Sequence, residues 1–225
     1  MNYGLIGYSG RMGKEISELF SRNGHSLIYT KDADGENMQG IPELLIDFSL
    51  PEAINETLDT AKGFSCPLII GTTGLAEENL RSVKSLANNI PIVYSRNFST
   101  GIMIMNKIVK MINKMDLGWD AEIIEKHHRY KKDKPSGTAL MIAENLNDNT
   151  NISSLRLGNI AGEHSVVFAS DEEILEVKHT AISRETFARG VLRAANKIVA
   201  LRPGFYSFEN ILGLEEVEKQ WIATK

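Results

Sequence analysis

Hydrophobic and polar positions change their period near the middle of the chain. Tyr3-Gly-Leu-Ile6 is a short apolar run that reads as a buried strand. Lys14-Glu-Ile-Ser-Glu-Leu-Phe20 then sets Ile16, Leu19 and Phe20 on one face of a helix. Strands follow at Ser26–Thr30, Leu44–Phe48, Pro67–Ile70 and Ile90–Tyr94, and Ser49-Leu-Pro-Glu-Ala53 opens a helix through Pro and Glu. Strands alternating with helices predict an α/β domain with a doubly wound parallel sheet over residues 1–97. From about Phe98 the pattern differs. Gly101–Ile112 is a helix rich in Met and Ile, read as core. Ala121–Glu125 reads as a strand and Ala139–Leu146 as a helix. Ser153–Asn159, His164–Ala169 and Ile174–Thr180 alternate and predict antiparallel strands, before a long helix from Glu185 to about Leu201. Residues 98–202 therefore predict an α+β domain whose open, apolar sheet face would serve oligomerisation. Residues 203–225 are expected to pack back on the first domain.

Composition narrows the partners. The 225 residues suit two small domains, and 42% hydrophobic with 24% charged residues is ordinary for a soluble protein. A net charge of −4 argues against general nucleic-acid binding. Cys66 is the only cysteine, so no intramolecular disulfide can form, which suits a reducing cytoplasm. No apolar run approaches the ~18–20 residues of a membrane span, and no cleavable signal precedes the first strand.

The first strand runs directly into Gly7-Tyr-Ser-Gly-Arg-Met-Gly13 and then a helix. Strand, glycine loop and helix are the context of a phosphate-binding turn, here spaced Gly-x-x-Gly-x-x-Gly. Empty glycine turns also join strands to helices. Asp32, 19 residues past Gly13 at the end of the second strand, stands where a dinucleotide site holds an adenosine ribose. It is equally placed to be a turn residue before Gly35. The small and polar clusters Gly7–Gly13, Asp32, Gly71-Thr-Thr-Gly74 and Arg96–Ser99 all fall at carboxyl ends of strands, where such sheets bind ligands. A Rossmann-like dinucleotide domain is the result.

The second concentration of chemistry is Glu125-Lys-His-His-Arg-Tyr-Lys-Lys-Asp-Lys-Pro-Ser-Gly-Thr-Ala139. Basic loops are commonly only solvated. This one ends in Ser136, a natural N-cap, and Gly137, which lets a ligand approach the backbone. The free N–H groups of a first helical turn favour a carboxylate or phosphate. His127 and His128 can exchange protons near neutrality. They point to opposite faces of a strand and no second cluster has metal spacing, so no metal is expected. His25, His164 and His179 read as structural or solvated.

These motifs, with Asn97-Phe-Ser-Thr-Gly101 and Ser183-Arg-Glu-Thr-Phe187, resemble the 4-hydroxy-tetrahydrodipicolinate reductase (dihydrodipicolinate reductase) family across essentially the whole chain. The resemblance implies a cytoplasmic homotetramer that transfers hydride from NADH or NADPH to a cyclic unsaturated dicarboxylate, in lysine biosynthesis through diaminopimelate. It implies His127 as catalytic acid/base, Lys131 as second proton donor, and His128, Gly137 and Thr138 as substrate contacts. Ser136, at the same helix start, is expected to contact substrate as well. Gly7, Tyr8, Ser9, Gly10, Arg11, Met12 and Gly13 become cofactor contacts. Asp32, Gly71, Thr72 and Thr73, then Arg96, Asn97, Phe98 and Ser99, complete that set. The segment from Asp32 to Leu44 is short, and Ala33 stands where a basic residue can follow the acid, with Lys31 before it. Arg184, between strand and long helix, either meets a substrate carboxylate or forms a salt bridge with Glu185 or Glu125. On residues alone two other readings stay open. One is another two-domain nicotinamide dehydrogenase, although Cys66 lies at the wrong end of its strand for an acyl-forming nucleophile. The other is a dinucleotide sensor without chemistry, which would need the glycines but neither His127 nor Lys131.

Overall fold

The computed structural model describes residues 1–147 and 150–214. The chain begins β1 (Asn2–Ile6), α1 (Arg11–Arg22), β2 (Ser26–Asp32), β3 (Gly35–Met38), β4 (Leu44–Asp47), α2 (Ile54–Phe64), β5 (Leu68–Ile70), α3 (Glu77–Leu86) and β6 (Pro91–Tyr94). It continues α4 (Thr100–Lys114), β7 (Asp120–His127), α5 (Gly137–Ala143), β8 (Asn151–Arg156), β9 (Gly162–Ala169) and β10 (Ile174–Ala181). It closes with α6 (Glu185–Ile198), β11 (Gly204–Ser207) and α7 (Phe208–Leu212). Among the described residues two compact units result: Met1–Phe98 with residues 187–214, and Ser99–Thr186.

The first unit is built on a seven-stranded sheet in the order β11-β6-β5-β4-β1-β2-β3. All neighbours pair in parallel except β3, which folds back antiparallel on β2 with Asp32 opposite Gly35. This hairpin occupies the short stretch between Asp32 and Leu44 where the sequence reading has no element. Winding reverses beside β1, so the ends of β1 and β4 flank the switch point at which such sheets bind ligands. Ile16, Leu19 and Phe20 are the buried face of α1, and Phe20 packs on Tyr3 with ring centroids 4.8 Å apart.

The long helix belongs to this first unit, not to the second as the 98–202 boundary expected. Its buried side is made of small residues, Ala188, Gly190, Ala194 and Ala195, with Val191 and Ile198. A Cβ at Gly190 would fall 1.7 Å from the carbonyl oxygen of Phe98. Only a bare Cα permits that approach, and it is what seats α6 against the end of the first segment. β11 then joins the sheet beside β6, Gly204 opposite Pro91. Within the expected 203–225 segment the structure shows Gly204–Ser207 paired with β6; residues 215–225 lie outside the described residues.

The second unit holds a four-stranded sheet in the order β10-β9-β7-β8. β9 is antiparallel to β7 and β10, but β8 is parallel to β7, from Glu122 opposite Asn151 to His127 opposite Arg156. The expectation of three antiparallel strands is corrected for this one. α5 is the crossover that makes β7-α5-β8 a βαβ unit, and a crossover delivers a parallel strand. α4 and α5 cover one face, over Ile123, Val166 and Phe168. The open face is mixed, with Leu155 and Ile174 among its exposed apolar side chains. Ile124 and Val167 share it with an ion ladder, Lys126–Glu163 at 2.6 Å and Glu163–Lys178 at 3.1 Å, and with Ser153 donating to Glu122. No described helix is long and apolar enough to cross a membrane.

Candidate active site

In the first unit the glycine turn follows β1. Gly7 has φ +81°, its N–H donates to the Lys31 carbonyl at 2.9 Å, and a Cβ there would meet the Phe48 carbonyl at 2.4 Å. A Cβ at Gly13 would lie 2.2 Å from the Gly7 carbonyl oxygen. These two glycines close the turn; Gly10 stands exposed between them, with Tyr8, Ser9 and Arg11. The N-terminus of α1 has no side-chain cap and no acid in its first turn, which leaves it open to an anion. Asp32 accepts from the Ser9 N–H at 2.8 Å, so the acid and the turn are one assembly. Lys31 reaches Glu56 at 2.7 Å and Glu36 at 3.6 Å.

Two neighbouring loops are held from below. Asp47, wholly buried at the end of β4, accepts from the Thr72 hydroxyl at 2.7 Å and from Ser49 through its hydroxyl and N–H. Burial raises its pKa against those donors. A Cβ at Gly71 would enter the Phe48 ring. Phe98 is buried between the Phe48 and Phe208 rings, so its side chain is core and its backbone is what it can offer a cofactor. Asn97 and Thr72 are buried as well, whereas Thr73 and Arg96 are exposed.

In the second unit strand parity sets the chemistry. Glu125 and His127, two apart on β7, both face the helices. His127 Nδ1 lies 2.5 Å from Glu125 Oε2, and the ring is only 7% exposed. Glu125 has no exposure at all. Arg156, opposite His127 on β8, forks onto both of its oxygens, Nη1 to Oε2 at 2.8 Å and Nη2 to Oε1 at 2.7 Å. Burial opposes ionisation of Glu125, yet the Arg156 fork and His127 hold its pKa down to about 2. For His127, burial lowers the pKa, Glu125 opposes, and Lys131 and Arg156 push with burial. Lys131 pairs with Asp133 at 2.8 Å within the loop.

The Ser136 hydroxyl caps α5 by accepting from the Ala139 N–H at 3.1 Å and lies 3.2 Å from His164 Nε2. Its side chain therefore faces inward. Gly137 has open space where a Cβ would be, and Thr138 is half-buried, so these two form the part of the turn a ligand can reach. His128 is half-buried at the end of β7. Ser99 caps α4 from the Ile102 N–H and sits 3.2 Å from His179 Nε2. Arg184 is half-buried, and Glu125, one of the acids expected to pair with it, is engaged by Arg156.

Sequence reasoning overlooked Arg156, His164, Gly162 and Asp47. His164 is not solvated: it is 3% exposed and meets the His127 ring nearly at right angles, centroids 5.1 Å apart. A Cβ at Gly162 would come within 3.3 Å of His127 Nε2. A signal for Arg156 was present, because a Glu inside Ile123-Ile124-Glu125 must find a cation if buried. Among the described residues no group of three or more His, Cys, Asp or Glu could hold a metal ion.

Comparison with known proteins agrees on one group. A family model described as dihydrodipicolinate reductase, N-terminus, matches residues 1–98, and its C-terminus counterpart matches residues 101–212. The 4-hydroxy-tetrahydrodipicolinate reductase of Thermosipho africanus is 42% identical over 212 residues, covering 94% of this chain and 98% of that protein. The enzyme of the same name from Zymomonas mobilis is 38% identical, covering 94% and 96%. A dipicolinate-bound dihydrodipicolinate reductase from Paenisporosarcina sp. TG-14 superposes with a TM-score of 0.77 at 22% identity, over 94% of this chain and 99% of that one, a likeness of fold.

The buried histidines carry a pH consequence. Burial pushes the His164 pKa down to about 3, with His127 and His179 adding and Glu125 opposing. The folded state holds this ring neutral while the unfolded chain protonates it near ~6.5. Its contribution to stability is therefore complete above ~6.5 and is lost as the pH falls towards about 3. Urea unfolding should show a loss of up to about 2 kcal/mol from this group between pH 6.5 and pH 5. His164→Gln should flatten that slope; an unchanged slope would place the proton uptake elsewhere.

Proposed function

The chain belongs to the dihydrodipicolinate reductase family, and we propose which of its residues carry the reaction. It reduces 4-hydroxy-tetrahydrodipicolinate to tetrahydrodipicolinate with a nicotinamide cofactor, in the diaminopimelate route to lysine. The overall change consumes one hydride and one proton and releases the hydroxyl as water. The nicotinamide supplies the hydride when bound. The open first turn of α1 fits a pyrophosphate and the Ser9–Asp32 assembly fits a ribose, which supports Gly7–Met12 and Asp32 as the cofactor's contacts. The exposed Thr73 and Arg96, with the backbone of Gly71, Thr72 and Asn97–Ser99, complete that set. Gly13 shapes the turn and Ser136 shapes the substrate turn from within. A cytoplasmic setting fits Cys66, which is buried and has its thiol pushed up to about 11 by that burial.

The observation that carries the catalytic reading is His127: a buried imidazole held at Nδ1 by Glu125, leading into the loop of Lys131 and the Gly137–Thr138 turn. Proton donation from Nε2 is its role, and Lys131 is the second donor, offsetting negative charge on the substrate. Gly137 and Thr138 take one substrate carboxylate. His128 lies at the loop's entrance. Arg184, a half-buried cation, is the candidate for the other carboxylate. His127→Gln should lower kcat by roughly 10²–10⁴, the worth of a positioned acid, with cofactor affinity retained. Lys131→Ala should do the same and raise KM. Near-normal kcat in His127→Gln would move the role to Lys131.

Both NADH and NADPH are proposed to support turnover, with NADH favoured. Asp32 accepts hydrogen bonds, as a ribose 2′-hydroxyl requires. Lys31, the cation beside it, is already engaged by Glu56 and Glu36, leaving Arg11 to meet a 2′-phosphate. Glu56→Gln should release Lys31 and raise kcat/KM for NADPH several-fold while leaving NADH unchanged. Equal effects on both cofactors would count against this assignment.

A homotetramer paired through the open sheet faces is the proposed assembly. Ile124 and Val167 would be covered there, and the Lys126–Glu163–Lys178 ladder would set the register. Sedimentation at micromolar concentration should show a tetramer, and Ile124→Glu should yield smaller species. Monomer alone in the unaltered protein would reject this assembly.

A further inference from the structure

We infer that Glu125 and Arg156 form a positioning pair that decides which nitrogen of His127 is presented for proton transfer, and that ties this choice to the loop carrying Lys131. The inference rests on the reading of His127 as the acid. Glu125 receives four donors: His127 Nδ1, both terminal nitrogens of Arg156, and the Ser136 N–H at 3.2 Å. An ionised carboxylate only accepts, so Nδ1 must carry the proton that fills the 2.5 Å contact. The exchangeable nitrogen is then Nε2, which lies on the Gly162 side, 3.3 Å from where a Cβ there would stand, with His164 Cε1 beside the same point.

Arg156 does more than neutralise. Its Nη2 also donates to the Asp133 carbonyl at 2.6 Å, and the Asp133 carboxylate holds Lys131. One guanidinium therefore joins β8, the carboxylate beneath His127 and the backbone of the loop. With the Ser136 N–H, the same carboxylate also fixes the entry to α5. Ring, loop and helix entry are set by a single buried charge.

The electrostatics give the pair a testable asymmetry. The groups acting on His127 are Glu125 on its own strand, Arg156 on β8, His164 on β9 and Lys131 on the loop; the neutral Ser136 before α5 meets Glu125 and His164, and His179 on β10 acts on His164. Glu125 alone among them favours an imidazolium. Arg156 and Lys131 disfavour it, as burial does. Removing the negative charge while keeping the shape should make the imidazolium harder to form and leave the two neutral tautomers closer in energy.

The test is long-range proton–nitrogen correlation NMR on ¹⁵N-histidine-labelled protein, with His127 assigned by its absence in His127→Gln. In the unaltered protein, neutral His127 should carry its proton on Nδ1; a proton on Nε2 would overturn the proposal whether or not any variant folds. In Glu125→Gln the His127 midpoint should move to lower pH by about one unit or more. The alkaline limb of kcat/KM should move with it, so that activity drops about tenfold or more above that limb and recovers on acidification. An inactive Glu125→Gln with the His127 midpoint and pH limb unmoved would make the pair merely structural and leave His127 as the acid. Full activity in His127→Gln would instead remove the catalytic reading, while the tautomer measurement would still report on the pair.

Discussion

A carboxylate shut away from water is tolerable only if donors surround it, and in the second unit that requirement governs the architecture. An unpaired charge at Glu125 would cost several kcal/mol. The four donors that prevent this come from three places in the sequence: His127 on the same strand, Ser136 across the loop, and Arg156 on the next strand. Strand parity brings the first, since positions two apart share a face. The loop must turn back to bring the second. Only a parallel β8, in the observed register, brings the third. The βαβ crossover, the loop path and the histidine orientation are thus solutions to one solvation problem.

The first unit obeys a different constraint, the absence of atoms. Gly7, Gly13, Gly71 and Gly190 each sit where a Cβ would strike backbone or an aromatic ring. At the strand ends this lets the turn after β1 tighten and lets Phe48 lie under Gly71. Asp47 then acts as a buried anchor for Thr72 and Ser49, a small polar knot below the loops at the strand ends. Thr73 and Arg96 are exposed on these loops while the inner sides are consumed by packing.

What could be read in advance follows from these constraints. The strand–turn–helix around Gly7–Gly13 and the strand leading into the His127 loop are legible because each is spelled by a few adjacent residues. The strands of the first unit were legible as apolar runs. β3 was not, since Gly35-Glu-Asn-Met38 has neither an apolar run nor alternation; it exists because β2 offers an edge. Period-two alternation at Ser153–Asn159 reports which side a residue faces but not which way the strand runs, so β8 was placed in the wrong sense and Arg156 missed with it. His164 resembled a turn residue because its significance lies in the strand opposite, at Glu125. The helix from Glu185 was recognised, but its small-residue face gives no address; Phe98, eighty-nine residues before Phe187, does.

That return of the chain has a consequence for how the protein is made. The sheet of the first unit stays unfinished until the whole second unit has left the ribosome. β6 ends at Tyr94, and its neighbour β11 begins only at Gly204. At ordinary synthesis rates β6 is a bare edge for roughly 5–20 s, longer than many domains need to fold. An exposed edge of Pro-Ile-Val-Tyr invites pairing with another nascent chain.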